Sequence, residues 1–205
     1  MNQHIKSIIT QFEKEDHHID PKRKDQIQGI AETLKQQHSS RPHQLIFVCT
    51  HNSRRSIFGQ VWATVLANYY EIPLESYSGG TEVTSINDNA LTCLSHLGFD
   101  VKKQQNTSNP KVKVSYGNSD TIRCFSKLYN DAENPSKNFF AVMLCEHAAE
   151  NCPFIPNALE RFNLTYPDPK HFDDTPHQDD EYKKVALEVG QELSFLMRQL
   201  QNHNQ

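Results

Sequence analysis

Apolar positions along this chain gather into a few runs separated by long polar stretches, and their spacing predicts most of the elements. Ile5, Ile8, Ile9 and Phe12 recur at helical spacing. Asp20-Pro21 reads as a helix start, with Asp as cap and Pro at the first helical position, and Ile27, Ile30 and Leu34 carry an apolar stripe to Lys35. Two helices are therefore expected before the break Ser39-Ser40-Arg41-Pro42. Leu45-Ile46-Phe47-Val48 is a short continuous apolar run, as in a buried parallel strand. The polar stretch Cys49 to Ser56 follows, and then Ile57, Val61, Trp62, Val65, Leu66 and Tyr69 mark a helix. Further along come a short strand around Leu74–Tyr77, closed by Ser78-Gly79-Gly80, and a helix over Asn87–Leu97 stopped by Gly98. Lys111–Tyr116 and Ile122–Tyr129 are weaker strands, Phe139–Leu144 is a second strongly apolar one, and a last helix covers Glu181–Gln201.

Strands alternating with helices predict an α/β fold, open and three-layered, with a mostly parallel sheet and helices on both faces. Residues 1–40 read as a helical extension packed on the domain or on a partner subunit, and residues 41–205 as the domain that carries chemistry.

Composition narrows the function classes. The chain has 205 residues, 36% of them hydrophobic, and a net charge of −4; its mean hydropathy is −0.71 and its pI about 6.2. No long basic block points to nucleic acid, and no stretch approaches the length of a membrane span. An anionic substrate would have to be drawn by a local positive site rather than by the global field. The first residues carry charge and His without an apolar run, so no export signal is expected and the protein is expected in the cytoplasm. Cysteine occurs at 49, 93, 124, 145 and 152. An odd number in such a chain predicts reduced thiols, with any disulfide transient and catalytic.

The central observation is a strand, then Cys49-Thr50-His51-Asn52-Ser53-Arg54-Arg55-Ser56, then a helix. A strand that ends in a loop opening a helix aims several backbone N–H groups into one concave site, and the helix dipole adds positive potential there. A cysteine in that field favours its thiolate. The planar fork of Arg55 can hold two oxygens of a tetrahedral anion, Ser56 can donate to the thiolate, and Asn52 suits a left-handed backbone position. Two readings stand for His51 and Arg54: they line the mouth of the site, or they are simply exposed.

The run Phe47 to Ser56 resembles the nucleophile loop of the low-molecular-weight protein tyrosine phosphatases and of their relatives, the thioredoxin-coupled arsenate reductases. The resemblance covers about residues 44 to 200 and implies that superfamily's fold, an open three-layer arrangement around a mostly parallel four-stranded sheet. It implies Cys49 as nucleophile, loop residues Thr50 to Ser56 around the oxyanion with Arg55 binding it, and Asn52 and Ser56 holding the loop. Ser78 is similar to the serine that supports the loop asparagine. Two positions depart from the usual pattern: His51 stands where a glycine is common, and Arg54 where a cysteine is.

A leaving oxygen needs a proton, and Asp168-Pro169 resembles the family's acid loop, which makes Asp168 the expected general acid. Asp173 and Asp174 compete, and an Asp-Pro pair alone is more often a turn. Lys170-His171-Phe172 follows, where the phosphatases usually carry aromatic residues that stack on phosphotyrosine; a lysine there fits a small, highly charged anion better. Leu144-Cys145 and Asn151-Cys152-Pro153 resemble the redox pair of the thioredoxin-coupled arsenate reductases. That implies arsenate reduction by a Cys49–Cys145–Cys152 relay, a thioredoxin-like reductant as partner, and neither metal nor organic cofactor. Other readings remain at this point: Cys145 and Cys152 as buried apolar residues, as zinc ligands with His147, or as redox protection of a phosphatase that uses Cys49 and Asp168. A non-enzymatic anion-binding regulator is a further possibility. Cys93 and Cys124 read as structural.

Overall fold

The computed structural model of the chain describes residues 1–37, 42–117, 120–151 and 154–201. Its helices are α1 (Gln3–Lys14), α2 (Pro21–Gln36), α3 (Arg55–Tyr69), α4 (Asp88–His96), α5 (Glu146–Asn151) and α6 (Gln178–Gln201). Its strands are β1 (His43–Cys49), β2 (Leu74–Gly80), β3 (Asp100–Lys103), β4 (Val112–Ser115), β5 (Thr121–Cys124), β6 (Phe139–Met143) and β7 (Ala158–Asn163).

The main sheet is four-stranded and parallel, in the order β2-β1-β6-β7. From β1 the chain crosses to β2 on one side and later to β6 on the other. The carboxyl ends of β1 and β6 therefore flank the point where strand order reverses, the place such sheets bind ligands. Alternate residues of β1 face two cores. Leu45 and Phe47 join a large cluster under the helices, while Ile46 and Val48 join a smaller one with Ala141, Met143, Cys145, Ala148 and Ile155.

Helix α3 is buried nearly all round and packs on β1 and β2. Gly59 makes this close approach possible, because a Cβ there would lie 2.7 Å from the Phe47 ring. Helix α6 packs in turn against α1, α2, α3 and α4. The first two helices have no core of their own: Ile5, Ile9, Phe12, Ile27 and Leu34 belong to the same cluster as Trp62 and Val189. Full burial of each such side chain stabilises the fold by about 1.5–3 kcal/mol. The Phe12 and Trp62 rings meet edge to face at 5.3 Å. Asp20 caps α2 as its sequence implies, accepting from Lys22 N at 2.9 Å with Pro21 at the first helical position.

Lys111–Tyr116 and Ile122–Tyr129 narrow to β4 and β5, which form a separate antiparallel sheet with β3. The second stretch ends early because residues 126–129 leave the ladder for other partners. Ser126 Oγ donates to His51 O at 2.8 Å, Lys127 N donates to Asn52 Oδ1 at 3.1 Å, and Gly80 N donates to Lys127 O at 2.8 Å. These residues brace the loop after β1. Among the described residues, no helix is long and apolar enough to cross a membrane.

Candidate active site

The loop from Cys49 to Arg55 lies between the end of β1 and the start of α3. Cys49 is buried, with its Sγ 3.1 Å from Ser56 Oγ. Asn52 adopts φ 46°, the left-handed region that Asn tolerates better than most residues. From there its Nδ2 donates to Ser56 Oγ at 2.7 Å, while its Oδ1 accepts from Lys127 N. Ser53 Oγ donates to Ser85 O at 2.7 Å, and Ser53 O accepts from Asn87 N at 3.1 Å, tying the loop to the start of α4. Gly80 lets the end of β2 lie against the loop, since a Cβ there would meet Glu82 O at 2.6 Å and Thr50 O at 2.7 Å.

Arg55 opens α3 and is almost wholly buried. Its Nη1 donates to Tyr166 O at 3.0 Å and its Nη2 pairs with Asp168 Oδ2. Its Nε is buried and has no hydrogen-bond partner among the described residues. A buried guanidinium donor left over is a group that an anion oxygen would satisfy. Asp168 also caps the short 3₁₀ turn Pro169–Phe172, accepting from Lys170 N at 3.1 Å, so that its carboxyl group is fixed beside Arg55.

Asp173, the competing carboxylate, is already engaged. Arg54 Nη2 donates to it at 2.9 Å, Tyr182 Oη at 2.6 Å and Asn89 Nδ2 at 3.2 Å. Burial alone would raise this carboxyl, but the bond from Tyr182 and the Arg54 charge outweigh it and hold the group below the usual carboxylate range. A carboxylate held ionised in this way is a poor proton donor.

Two sequence expectations are corrected here. The Arg54 side chain, expected to bind the anion or lie exposed, is instead engaged by Tyr182 of α6, to whose Oη its Nε donates at 2.6 Å, and by Asp173. The Ser78 hydroxyl does not reach Asn52; it donates to Gln60 Oε1 at 2.6 Å, and Asn134 Nδ2 donates to Ser78 O at 3.0 Å. Lys127, through its main chain, takes the place expected of Ser78. His51 sits at the rim with its Nε2 3.2 Å from Glu82 Oε2.

Cys145 follows the last residue pair between β1 and β6, and Leu144 N donates to Val48 O at 2.7 Å. Cys49 ends β1, Cys145 lies two residues beyond the end of β6, and the two share one buried cluster. The Cys145 Sγ lies 3.5 Å from Thr50 Oγ1 and accepts from Ala148 N at 3.4 Å. Thr50 Oγ1 is also 3.3 Å from His147 Nδ1. Cys152 lies outside the described residues. Cys93 and Cys124 are buried away from this edge, and burial pushes both thiols up to about 12. Among the described residues, no group of His, Cys, Asp and Glu is arranged to hold a metal ion.

Lys127, Tyr182 and Glu82 escape a reading of the sequence, because each reaches the site from a distant element and no local motif marks it.

No family model matches the chain. An arsenate reductase of Halalkalibacterium halodurans is 29% identical over 153 residues, spanning 73% of this chain and 91% of that protein. The arsenate reductase of Bacillus subtilis is 28% identical over 150 residues, again spanning 73% of this chain and 91% of the other. Among solved structures, a low-molecular-weight phosphotyrosine phosphatase of Vibrio cholerae has a TM-score of 0.54 at 15% identity, with 80% of this chain and 99% of that one covered. The chain is a homologue of the curated arsenate reductases, built on the fold of the low-molecular-weight protein tyrosine phosphatases.

Proposed function

We propose that this chain reduces arsenate to arsenite with a relay of three thiols, Cys49, Cys145 and Cys152, reset by a thioredoxin-type dithiol. The observation that carries the reading is the position of Cys145, a second thiol at the same sheet edge as the loop cysteine and 3.5 Å from the hydroxyl of the adjoining Thr50. Hydrolysis of a phosphate ester needs no such thiol.

The Cys49 thiolate attacks arsenic, and one arsenate oxygen leaves as water with a proton from Asp168. The loop amides and Arg55 hold the remaining oxygens, and the Ser56 hydroxyl steadies the sulfur before attack. The Cys145 thiolate then attacks Cys49 Sγ. The sulfur–arsenic bond breaks with its electron pair staying on arsenic, so arsenic(V) becomes arsenic(III) and arsenite leaves. The two electrons come from the two thiols, which end as a Cys49–Cys145 disulfide. Attack of Cys152 on the Cys49–Cys145 disulfide at Cys145 frees Cys49 and leaves a Cys145–Cys152 disulfide, which the external dithiol reduces.

A second reading is hydrolysis of a small phosphate ester by Cys49, Arg55 and Asp168, with Cys145 and Cys152 protecting the nucleophile. The Arg55–Asp168 pair supports it, since that arrangement serves phosphoryl and arsenic chemistry alike. The test is arsenate-dependent NADPH oxidation with thioredoxin and thioredoxin reductase, on the wild type and on Cys152→Ser. Turnover in the wild type that is lost in the variant is expected. No turnover in the wild type, with para-nitrophenyl phosphate hydrolysis intact, moves the assignment to the phosphatase.

A further inference from the structure

Helix α2 reaches the acid loop directly. Arg23, in its first turn, uses its whole guanidinium group. Nε donates to both oxygens of Glu192 at 2.9 Å, Nη2 donates to Thr165 O at 2.9 Å, and Nη1 donates to Gln26 Oε1 at 3.1 Å. The plane lies over the Tyr166 ring, 5.0 Å from its centre. Gln26 Nε2 donates to Asn163 O. Tyr166 Oη donates to Glu192 Oε2 at 2.6 Å, and both side chains are buried.

The same segment is held from the other side by the sheet. Leu164 N donates to Met143 O at 2.9 Å and Tyr166 N to Leu144 O at 3.1 Å. Tyr166 O then accepts from Arg55 Nη1, and two residues later Asp168 pairs with the same guanidinium. The main chain of Tyr166 is therefore a junction, with Arg23 and Glu192 behind it and the Arg55–Asp168 pair in front.

We propose that Arg23, supported by Gln26, is a positioning residue through which the N-terminal helices set the acid loop, and with it Asp168, over Arg55. The inference rests on the reading of Asp168 as the acid in Cys49 chemistry. It gives the first 36 residues a catalytic consequence beyond the apolar surface they cover. A fork with three separate acceptors is suited to this, because lysine can satisfy Glu192 but cannot also hold Thr165 O and cover the ring. A displacement of about 1 Å at a reacting group can cost up to about a hundredfold in rate.

The test is a double-mutant cycle between Arg23→Lys and Asp168→Asn on the full chain, read as rate at saturating substrate and as KM. It is run on single-turnover arsenate reduction and on para-nitrophenyl phosphate hydrolysis, since both use the acid. Arg23→Lys is expected to lower the saturating rate about tenfold with KM nearly unchanged, and to have little further effect in the Asp168→Asn background. The Arg23→Met, Glu192→Gln pair removes both charges of the ion pair together and is expected to behave likewise, which keeps the test open if Arg23→Lys folds poorly. Equal losses in both backgrounds would overturn the proposal and make Arg23 a purely structural residue. If Asp168→Asn is itself without effect, the acid assignment fails and the clamp fails with it. A loss of arsenate reduction alone, with the cycle intact on the ester, would reject the substrate and keep the clamp.

Discussion

Asn52 and Ser56 are joined by a 2.7 Å hydrogen bond that decides where the serine proton goes. The Asn52 amide donates to Ser56 Oγ, so the hydroxyl must direct its own proton elsewhere, and the Cys49 sulfur stands 3.1 Å away. The sulfur receives a donor that the loop itself orients. Ser56→Ala removes that donor. A hydrogen bond to a charged group contributes about 1.5–3 kcal/mol, so the attack step is expected to slow roughly ten- to hundredfold. Single-turnover rates with arsenate measure this directly. A Ser56→Ala protein as fast as the wild type would mean that the serine only braces Asn52.

The Arg54–Asp173–Tyr182 cluster makes a prediction about stability against pH. The Asp173 carboxyl lies below its ordinary value of 3.8 in the folded chain. Its contribution is therefore fully present above that value and is lost as pH falls from there through the folded pKa. Asp173→Asn resembles the protonated acid. The variant is expected to unfold at a lower temperature than the wild type at pH 6, with the gap closing as pH drops below 3.8. Thermal unfolding followed from pH 7 to pH 2 reads this, and a gap that stays constant across the range would contradict the assignment.

Some of this was legible in the chain and some was not. Leu45 to Val48 and Phe139 to Leu144 are apolar on both faces because both cores use them, so a continuous run marked each strand. Ala158-Leu159-Glu160-Arg161-Phe162-Asn163 forms an edge strand with mostly exposed or half-exposed side chains, and nothing in its pattern separates it from a loop. Asp100–Lys103 is hidden for the same reason. Around the nucleophile, Cys49, Asn52, Arg55 and Ser56 are local and readable at fixed spacing. Support that arrives through the main chain of Lys127, or through the pairing of Arg23 with a carboxylate on the last helix, leaves no local trace. The Ser78 expectation went astray at that point, because sequence order gives a hydroxyl's neighbourhood but not its direction.

Burial pushes the Cys93 and Cys124 thiols up to about 12, so both stay protonated and poorly nucleophilic near pH 8. Brief alkylation of the folded protein with iodoacetamide, followed by peptide mass spectrometry, is expected to leave both unmodified. Denaturation should make both reactive. Early labelling of Cys124 in the native protein would mean that the sheet carrying β5 opens readily, contrary to its burial.

The Thr50 hydroxyl offers a way to separate the two halves of the proposed cycle. It stands between Cys145 Sγ at 3.5 Å and His147 Nδ1 at 3.3 Å, on the residue that follows the nucleophile. A hydroxyl can donate to one of these while accepting from the other, so Thr50 can steady a Cys145 thiolate or pass its proton toward the imidazole. In the proposed cycle the Thr50 main chain would serve attack of Cys49 on the substrate, whereas the side chain would bear on attack of Cys145 on Cys49. Thr50→Val removes the hydroxyl and keeps the branched shape. Loss of one such hydrogen bond, about 0.5–1.5 kcal/mol, is expected to slow Cys49–Cys145 disulfide formation by up to about tenfold. Hydrolysis of para-nitrophenyl phosphate should fall by less, because Cys145 takes no part in it. Acid-quenched single turnovers resolved by mass spectrometry count the disulfide, and a chromogenic assay reads the hydrolysis. Equal losses in the two assays would assign Thr50 to the oxyanion loop alone and leave Cys145 to be activated by the Ala148 amide that already donates to its sulfur.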